Sequence, residues 1–365
     1  MFIKNTKLSI LILILFNFLP NAQPVNRNEF KIRTGVNISH WLSQSEKRGE
    51  ERINYITKAD FDSIASAGFD HVRIPIDEVQ LWDSLGNKHK EAFDLLHNAI
   101  KWASENNLRV IVDLHIIRSS YFNAASNPLW KNEAEQEKLI SMWMQLSEEL
   151  HQYSDNILAY EILNEPTAKD PEDWNIVLKK VYTAIRAKEP DRVIVIGSDM
   201  WQNPAAFPEL KIPEKDRNII LSFHFYTPMA LTHHTASWTK FAEYSGPVNY
   251  PGLIVDTANY KVLSASTTQE MRNGANGFFT KDSLKKLMEP AIKVAREKNL
   301  PLYCGEFGVY PKIPEQTALR WYEDICGIFN ENNIAYCHWN YKADFPVVKE
   351  NGAINRKLTS VLTVN

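Results

Sequence analysis

The feature that most constrains this chain is a rhythm. From residue 34 onward, eight short and almost wholly apolar runs alternate with longer segments whose apolar residues recur at spacings of three and four. The short runs are TGVNI from Thr34, HVRIP from His71, VIVDLH from Val110, ILAYEIL from Ile157, VIVIG from Val193, IILSFHFY from Ile219, PLYCGEF from Pro301 and IAYCHW from Ile334. Continuous rather than alternating apolarity marks strands covered on both faces, as in a parallel sheet. The longer segments read as amphipathic helices: KADFDSIASAG ending at Gly68, then patterns beginning at Ala92, Gln136, Asp173, Asp282 and Gln316, several of them closing on Lys, Asn or Gly. Strands alternating with helices imply βαβ units, and eight strands point to a closed (β/α)8 TIM barrel of the α/β class. An open doubly wound sheet would carry a Gly-rich phosphate turn after its first strand, and GVNISHW is not one.

No Gly-, Pro- or Ser-rich linker divides residues 30–365, so a single domain is expected there. The interval from Thr227 to Lys281 has few periodicities and is expected to form a long insertion after the sixth strand, placed as a lid or binding loop on the face that carries the chemistry. At the other end, Lys4 and Lys7 precede an apolar run from Leu8 to Leu19 that is closed by Pro20 and Ala22. Residues 1–22 therefore read as a secretory signal peptide, too short for a membrane span, and the mature chain is expected to be secreted or periplasmic. Its removal takes Lys4 and Lys7 and moves the net charge from −3 to −5, with no run of like charge. Neither a nucleic acid nor an anionic membrane is an expected partner, and a monomer acting on a neutral substrate is. Cys304, Cys326 and Cys337 show no zinc-site spacing, and the first and last lie in apolar runs where a buried, inert thiol is expected.

In such a barrel the reactive groups sit at the C-terminal ends of the strands. The polar residues there are Asn37 and His40, Arg73, His115, Asn164 and Glu165, His224 and Tyr226, Glu306, and Trp339. Burying such groups is costly unless they are paired. Ion pairing of one Arg with two Glu is the structural explanation, and two carboxylates facing one barrel mouth are also what hydrolysis of an acetal requires. Cleavage of a glycosidic bond needs a proton for the departing oxygen and a negative group for the anomeric carbon. Glu165 follows a long apolar run, where desolvation should keep it protonated, which suits a general acid and base. Glu306 lies in GEFG, and Arg73 and the Tyr226 hydroxyl would favour its ionised form if they reach it, which suits a nucleophile. Asn164 is placed to donate to a sugar 2-hydroxyl, and Trp339 to offer a flat floor for the ring.

The ordered set HVRIP, DLH, ILNEP, HFY, GEFG and the Trp at 339 resembles glycoside hydrolase family 5, the retaining β-glycanases that include many cellulases and mannanases. The resemblance runs from about Gly35 to Tyr341. It implies Glu165 as acid/base and Glu306 as nucleophile, with Arg73, His115, Asn164, His224, Tyr226 and Trp339 lining the subsite of the sugar being cleaved. It further implies an endo-β-1,4-glucanase acting on a β-linked oligo- or polysaccharide, with a β-mannanase or an exo-acting β-glucanase as the alternatives. Many members continue after DLH with a Gly- or Pro-rich segment, whereas Ile116 and Ile117 follow here, which bears on the neighbouring subsites.

Trp102, Trp143 and Trp321 fall in helix patterns and are expected in the core. Trp41, Trp82, Trp130, Trp201 and Trp238 follow strands, and of these Trp41, Trp201 and Trp238 are the candidates for stacking on sugars at the rim, together with Asn37 among the polar contacts. Three other classes compete. A metal-dependent hydrolase would draw on Asp113, His115, His224, His233 and His234, but the first strand lacks a His-x-His pair and there is no HExxH, so no metal or other cofactor is expected and His233 and His234 read as solvated loop residues. A non-catalytic sugar-binding barrel would have no need of both Glu165 and Glu306. A serine hydrolase is disfavoured by the lack of a G-x-S-x-G elbow.

Overall fold

The structure is a computed structural model that describes residues 30–363. The proposed signal peptide, residues 1–22, lies outside the described residues. Eight parallel strands close into a barrel: β1 (Thr34–Asn37), β2 (His71–Asp77), β3 (Arg109–Ile116), β4 (Leu158–Glu161), β5 (Val193–Gly197), β6 (Ile219–Phe225), β7 (Leu302–Phe307) and β8 (Ile334–His338), with β8 pairing back onto β1. Each coincides with one of the eight apolar runs, because a strand sandwiched between barrel interior and helix shell has no solvent face to encode.

The six anticipated helices form at Lys58–Ser66, Lys90–Glu105, Glu133–Leu150, Pro171–Lys188, Lys281–Lys298 and Glu315–Glu331. Two of them bear directly on the barrel mouth. The Glu133–Leu150 helix starts where the Asn132 side chain accepts from the Ala134 amide, and it buries Leu139, Met142, Trp143, Leu146 and Leu150 on one face. Trp143 then donates its indole N–H to the Ile162 carbonyl at 2.9 Å, just past β4. The Pro171–Lys188 helix has Asp170 as its cap and Pro171 in its first turn, and its Trp174 donates to the Gly197 carbonyl at the end of β5 at 3.0 Å. Strand ends that carry polar residues are thus pinned from outside by apolar shell residues.

The rhythm breaks after β5, where the chain forms a 3-10 turn at Pro204–Glu209 instead of a helix, consistent with Pro204 and Pro208 denying two amide donors. The insertion after β6 does occupy the mouth side, but it is more regular than its sequence suggests. It holds short helices at Met229–Thr232 and Ala265–Glu270 and an antiparallel pairing of Gly252–Leu253 with Phe278–Phe279.

The barrel interior is layered. At the bottom Phe30, Ile111, Ala159, Val193, Val195, Ile220, Tyr303 and Cys337 form an apolar plug. Two residues further along the same strands the inward positions turn polar: Asp113 on β3, Glu161 on β4 and Ser222 on β6, all fully buried. His115 and His224 lie two residues higher still. The change from oil to charge along one strand direction creates the site.

Candidate active site

Arg73 organises the cluster. It is fully buried and donates from Nε to Glu161 Oε2 (2.6 Å), from Nη1 to Asn37 Oδ1 (3.0 Å) and Glu306 Oε1 (2.8 Å), and from Nη2 to Asn164 Oδ1 (2.8 Å), with Asp113 Oδ2 at 3.0 Å. Burial opposes its charge, yet Asp113, Glu161 and Glu306 outweigh burial and hold the guanidinium protonated well beyond the usual range. Its planar fork is what lets one cation serve so many acceptors.

Glu306 reaches the mouth through a bulge. The pairing of β7 with both β6 and β8 slips by one residue at Gly305, so that His224 faces Glu306 and His338 faces Phe307. A side chain at Gly305 would place its Cβ 3.0 Å from both His224 Nε2 and Ser222 Oγ, so the small residue in GEFG is needed for the interior packing. Glu306 accepts from Arg73 on one oxygen and from the Tyr226 hydroxyl on the other (3.0 Å). Burial raises its pKa, but Arg73 and the Tyr226 hydrogen bond pull the other way.

Glu165 stands across the mouth in a left-handed backbone conformation, φ +44°, where its amide donates to Gln202 Oε1 at 2.9 Å. Its carboxylate Oε1 lies 2.9 Å from His224 Nδ1, and His224 Nδ1 is 3.7 Å from Glu306 Oε2. One oxygen of Glu165, one nitrogen of His224 and one oxygen of Glu306 all fall within 4.8 Å of one another. Burial and the neighbouring Glu306 charge push the Glu165 pKa well above the carboxylate range, with Arg73 as the main counterweight. Burial, followed by the charge of Arg73, keeps His224 neutral. The two carboxyl groups therefore meet with different protonation tendencies: Glu306 is held by a cation and a hydroxyl, Glu165 by a neutral imidazole.

The remaining expected residues line the same hollow. His115 is driven down to about 4 by burial, so it too is neutral; its Nδ1 lies 2.7 Å from Asp113 Oδ2 and its ring stacks on Trp339, centroids 5.5 Å apart. Asn37 donates to the Gly305 carbonyl at 2.9 Å and thereby braces the bulge. Asn164 Nδ2 and His224 Nε2 are buried with no partner, two polar atoms left free at the centre of the site.

Several expectations fail. Trp41 is fully buried, its indole N–H bonded to the Arg52 carbonyl at 2.9 Å, so it packs under the rim and offers no stacking face. Trp82 and Trp130 are buried as well. Trp201 and Trp238, by contrast, are 51% and 49% exposed. His233 and His234 are buried, not solvated: His233 packs edge-on against Tyr226, Trp238 and Phe345, and His234 against Tyr244. A loop histidine among aromatics gains more from ring packing than from water, which a local reading cannot see.

Three residues that sequence reasoning passed over belong to the cluster. Glu161 is hidden inside the apolar run AYEIL, Asp113 reads in the sequence only as a metal-ligand candidate, and Gln202 has no local signal. An acid at an inward position of a buried strand was the available clue for the first two. Among the described residues, Glu165, His224 and Glu306 are the one group of three or more His, Cys, Asp or Glu with atoms close enough to share a metal ion. Arg73, 2.8 Å from Glu306, places a fixed positive charge beside that position and satisfies the same carboxylate, so the donor set suits proton sharing better than a cation.

A family model described as cellulase, glycosyl hydrolase family 5, matches residues 25–345. The chain is 29% identical over 337 residues to Endoglucanase C of Acetivibrio thermocellus, covering 90% of this chain and 97% of that protein. It is 28% identical over 306 residues to Cellodextrinase A of Ruminococcus flavefaciens, covering 82% and 83%. Its fold superposes on endoglucanase Cel5A of Thermotoga maritima with a TM-score of 0.74 at 24% identity, over 92% of this chain and 98% of that one. With the model spanning nearly all of the barrel that holds this cluster, the chain belongs to the cellulase family, glycosyl hydrolase family 5.

Proposed function

We propose that this protein is an exported endo-β-1,4-glucanase that works with retention of anomeric configuration, Glu165 serving as acid and base and Glu306 as nucleophile. The observation that carries the reading is the approach of the two carboxylates to within 4.8 Å, each in a different environment. Retaining enzymes keep their carboxyl groups about 5–5.5 Å apart, whereas inverting ones need about 6.5–9.5 Å to admit a water.

The chemistry follows from the contacts. Glu306, ionised beside Arg73, attacks the anomeric carbon while Glu165 gives its proton to the departing glycosidic oxygen, and a glycosyl ester forms on Glu306. Glu165, now a carboxylate, removes a proton from a water that attacks the same carbon, and Glu306 leaves with its electron pair. Tyr226 steadies Glu306 at 3.0 Å, and neutral His224 orients Glu165 at 2.9 Å. Asn164 Nδ2, without a partner, is placed to donate to the 2-hydroxyl, a bond that strengthens as positive charge builds on the ring. Trp201 and Trp238, both about half exposed, offer stacking faces for further sugars of the bound chain.

The endo preference and the β-1,4-glucan substrate draw support from relatives named as endoglucanases that cover most of this chain. Export rests on Lys4, Lys7 and the apolar run to Leu19. The test is the ratio of viscosity loss to reducing ends on soluble carboxymethyl cellulose, with mannan and aryl β-glucosides in parallel. Early viscosity loss on the glucan supports the proposal; turnover confined to mannan or to terminal glucosides refutes it.

A further inference from the structure

Gln202 lies outside every motif, yet its side chain is fully buried and its amide spends its hydrogen bonds within the cluster. Its Oε1 accepts from the Glu165 amide at 2.9 Å, and its Nε2 donates to Glu161 Oε1 at 3.1 Å and Ser222 Oγ at 3.0 Å. Glu161 passes the connection on through Oε2 to Arg73 Nε at 2.6 Å, and Arg73 Nη1 reaches Glu306 Oε1 at 2.8 Å. Four consecutive hydrogen bonds thus run from the backbone of Glu165 to the carboxylate of Glu306 through residues that face no solvent.

The local backbone is shaped to make this possible. Met200, Trp201 and Gln202 are three successive left-handed residues, φ +55°, +60° and +53°, and they fold the Gln202 side chain beneath the end of β5. There only Gly197 fits: a Cβ on it would stand 2.5 Å from Gln202 Cγ. Glu165 is itself left-handed, a conformation that a non-glycine residue keeps only when its surroundings fix it, and the hydrogen bond from its amide to Gln202 is such a fixture. The same turn holds the exposed ring of Trp201, whose amide donates to the Pro166 carbonyl at 3.1 Å and whose indole donates to the Phe122 carbonyl at 2.9 Å.

We propose that Gln202 is a positioning residue for the acid, and that with Glu161 and Arg73 it fixes where Glu165 stands relative to Glu306. This rests on Glu165 being the acid and on Glu306 being the nucleophile. Gln202 touches neither sugar nor reacting atoms, and it acts by setting the placement of the proton donor. Loss of that placement lowers kcat/KM, which reports the first displacement, only for those substrates whose leaving group needs the proton.

The experiment compares kcat/KM on cellotetraose, a poor leaving group, with kcat/KM on 2,4-dinitrophenyl β-cellobioside, which departs without protonation. Gln202→Met removes both kinds of hydrogen bond; Gln202→Glu keeps the shape and the acceptor for the Glu165 amide but sets a carboxylate against Glu161. Both are expected to lose about 10-fold or more on cellotetraose and to stay within about 3-fold of the parent on the dinitrophenyl substrate. Equal losses on the two substrates, no loss on either, or failure of both variants to fold would overturn the proposal by making Gln202 a core residue only. If Gln202→Met alone does not fold, Gln202→Glu decides. Glu165→Ala in added azide is the companion arm. Rescue of dinitrophenyl cellobioside cleavage there upholds Glu165 as the acid whatever Gln202 does, and its absence refutes the underlying assignment instead.

Discussion

Arg73 and Glu306, 233 residues apart in the chain, meet at 2.8 Å between Nη1 and Oε1, and the same guanidinium touches Glu161 and Asp113. One cation therefore holds three buried carboxylates, and its removal leaves uncompensated charge in a low-dielectric interior. Arg73→Met is expected to cost about 3–5 kcal/mol of stability. Arg73→Lys keeps the charge but not the fork, and should fold while losing most of its kcat. Urea unfolding and steady-state kinetics on the two variants measure this; an Arg73→Met protein as stable as the parent would contradict it.

The pH profile should be a bell whose acidic limb belongs to Glu306 and whose basic limb belongs to Glu165. Burial raises both, but Arg73 and Tyr226 restrain Glu306, while the charge of Glu306 adds to burial at Glu165. Tyr226→Phe deletes a hydrogen bond that stabilises ionised Glu306, so the acidic limb should move to higher pH with the basic limb nearly fixed. A profile of kcat/KM against pH in which only the basic limb moved would reverse the two assignments.

Much of this was legible in the sequence, and the reason is physical. Strand positions buried on both faces are forced to be apolar, so eight runs announced eight strands, and any polar residue ending a run stood out. Arg73, His115, Asn164, Glu165, His224, Tyr226, Glu306 and Trp339 stand out in that way, and the barrel gathers them at one hollow. Trp41 misled because position after a strand does not tell rim from underside: its indole found the Arg52 carbonyl and its ring the core. Glu161 was lost because a single acid inside an apolar run looks like an interruption until its partner, 88 residues away, is known. Gln202 could not have been found, since its role depends on a left-handed turn and on the space above Gly197.

Acid should unfold the protein partly through buried neutral histidines. Burial drives His233 and His115 down to about 4 and His338 to about 3, so the unfolded chain binds protons that the folded one refuses. Their stabilising contribution is complete above the unfolded value near 6.5 and is lost as pH falls toward the folded values. His233→Phe, which fits the ring cluster of Tyr226, Trp238 and Phe345, should flatten the stability slope between pH 6 and 4.5 by about 1 kcal/mol per pH unit. Urea midpoints across that range give the slope; an unchanged slope would mean that His233 is charged in the folded state.

The exposed tryptophans should separate from the buried one. Trp201→Ala and Trp238→Ala are expected to weaken binding of long cello-oligosaccharides by about 2- to 10-fold in KM with little change in melting temperature, the range expected for one lost stacking contact. Trp41→Ala should do the opposite, lowering the melting temperature by opening a cavity and leaving KM unchanged in the protein that remains folded. Calorimetry beside kinetics on the three variants reads both quantities.

The most direct test is the configuration of the first product. Proton NMR during hydrolysis of a cello-oligosaccharide, read before mutarotation, should show the β-anomer appearing first, as two displacements at one carbon between carboxylates this close require. The α-anomer appearing first would mean that a water, and not Glu306, attacks the sugar.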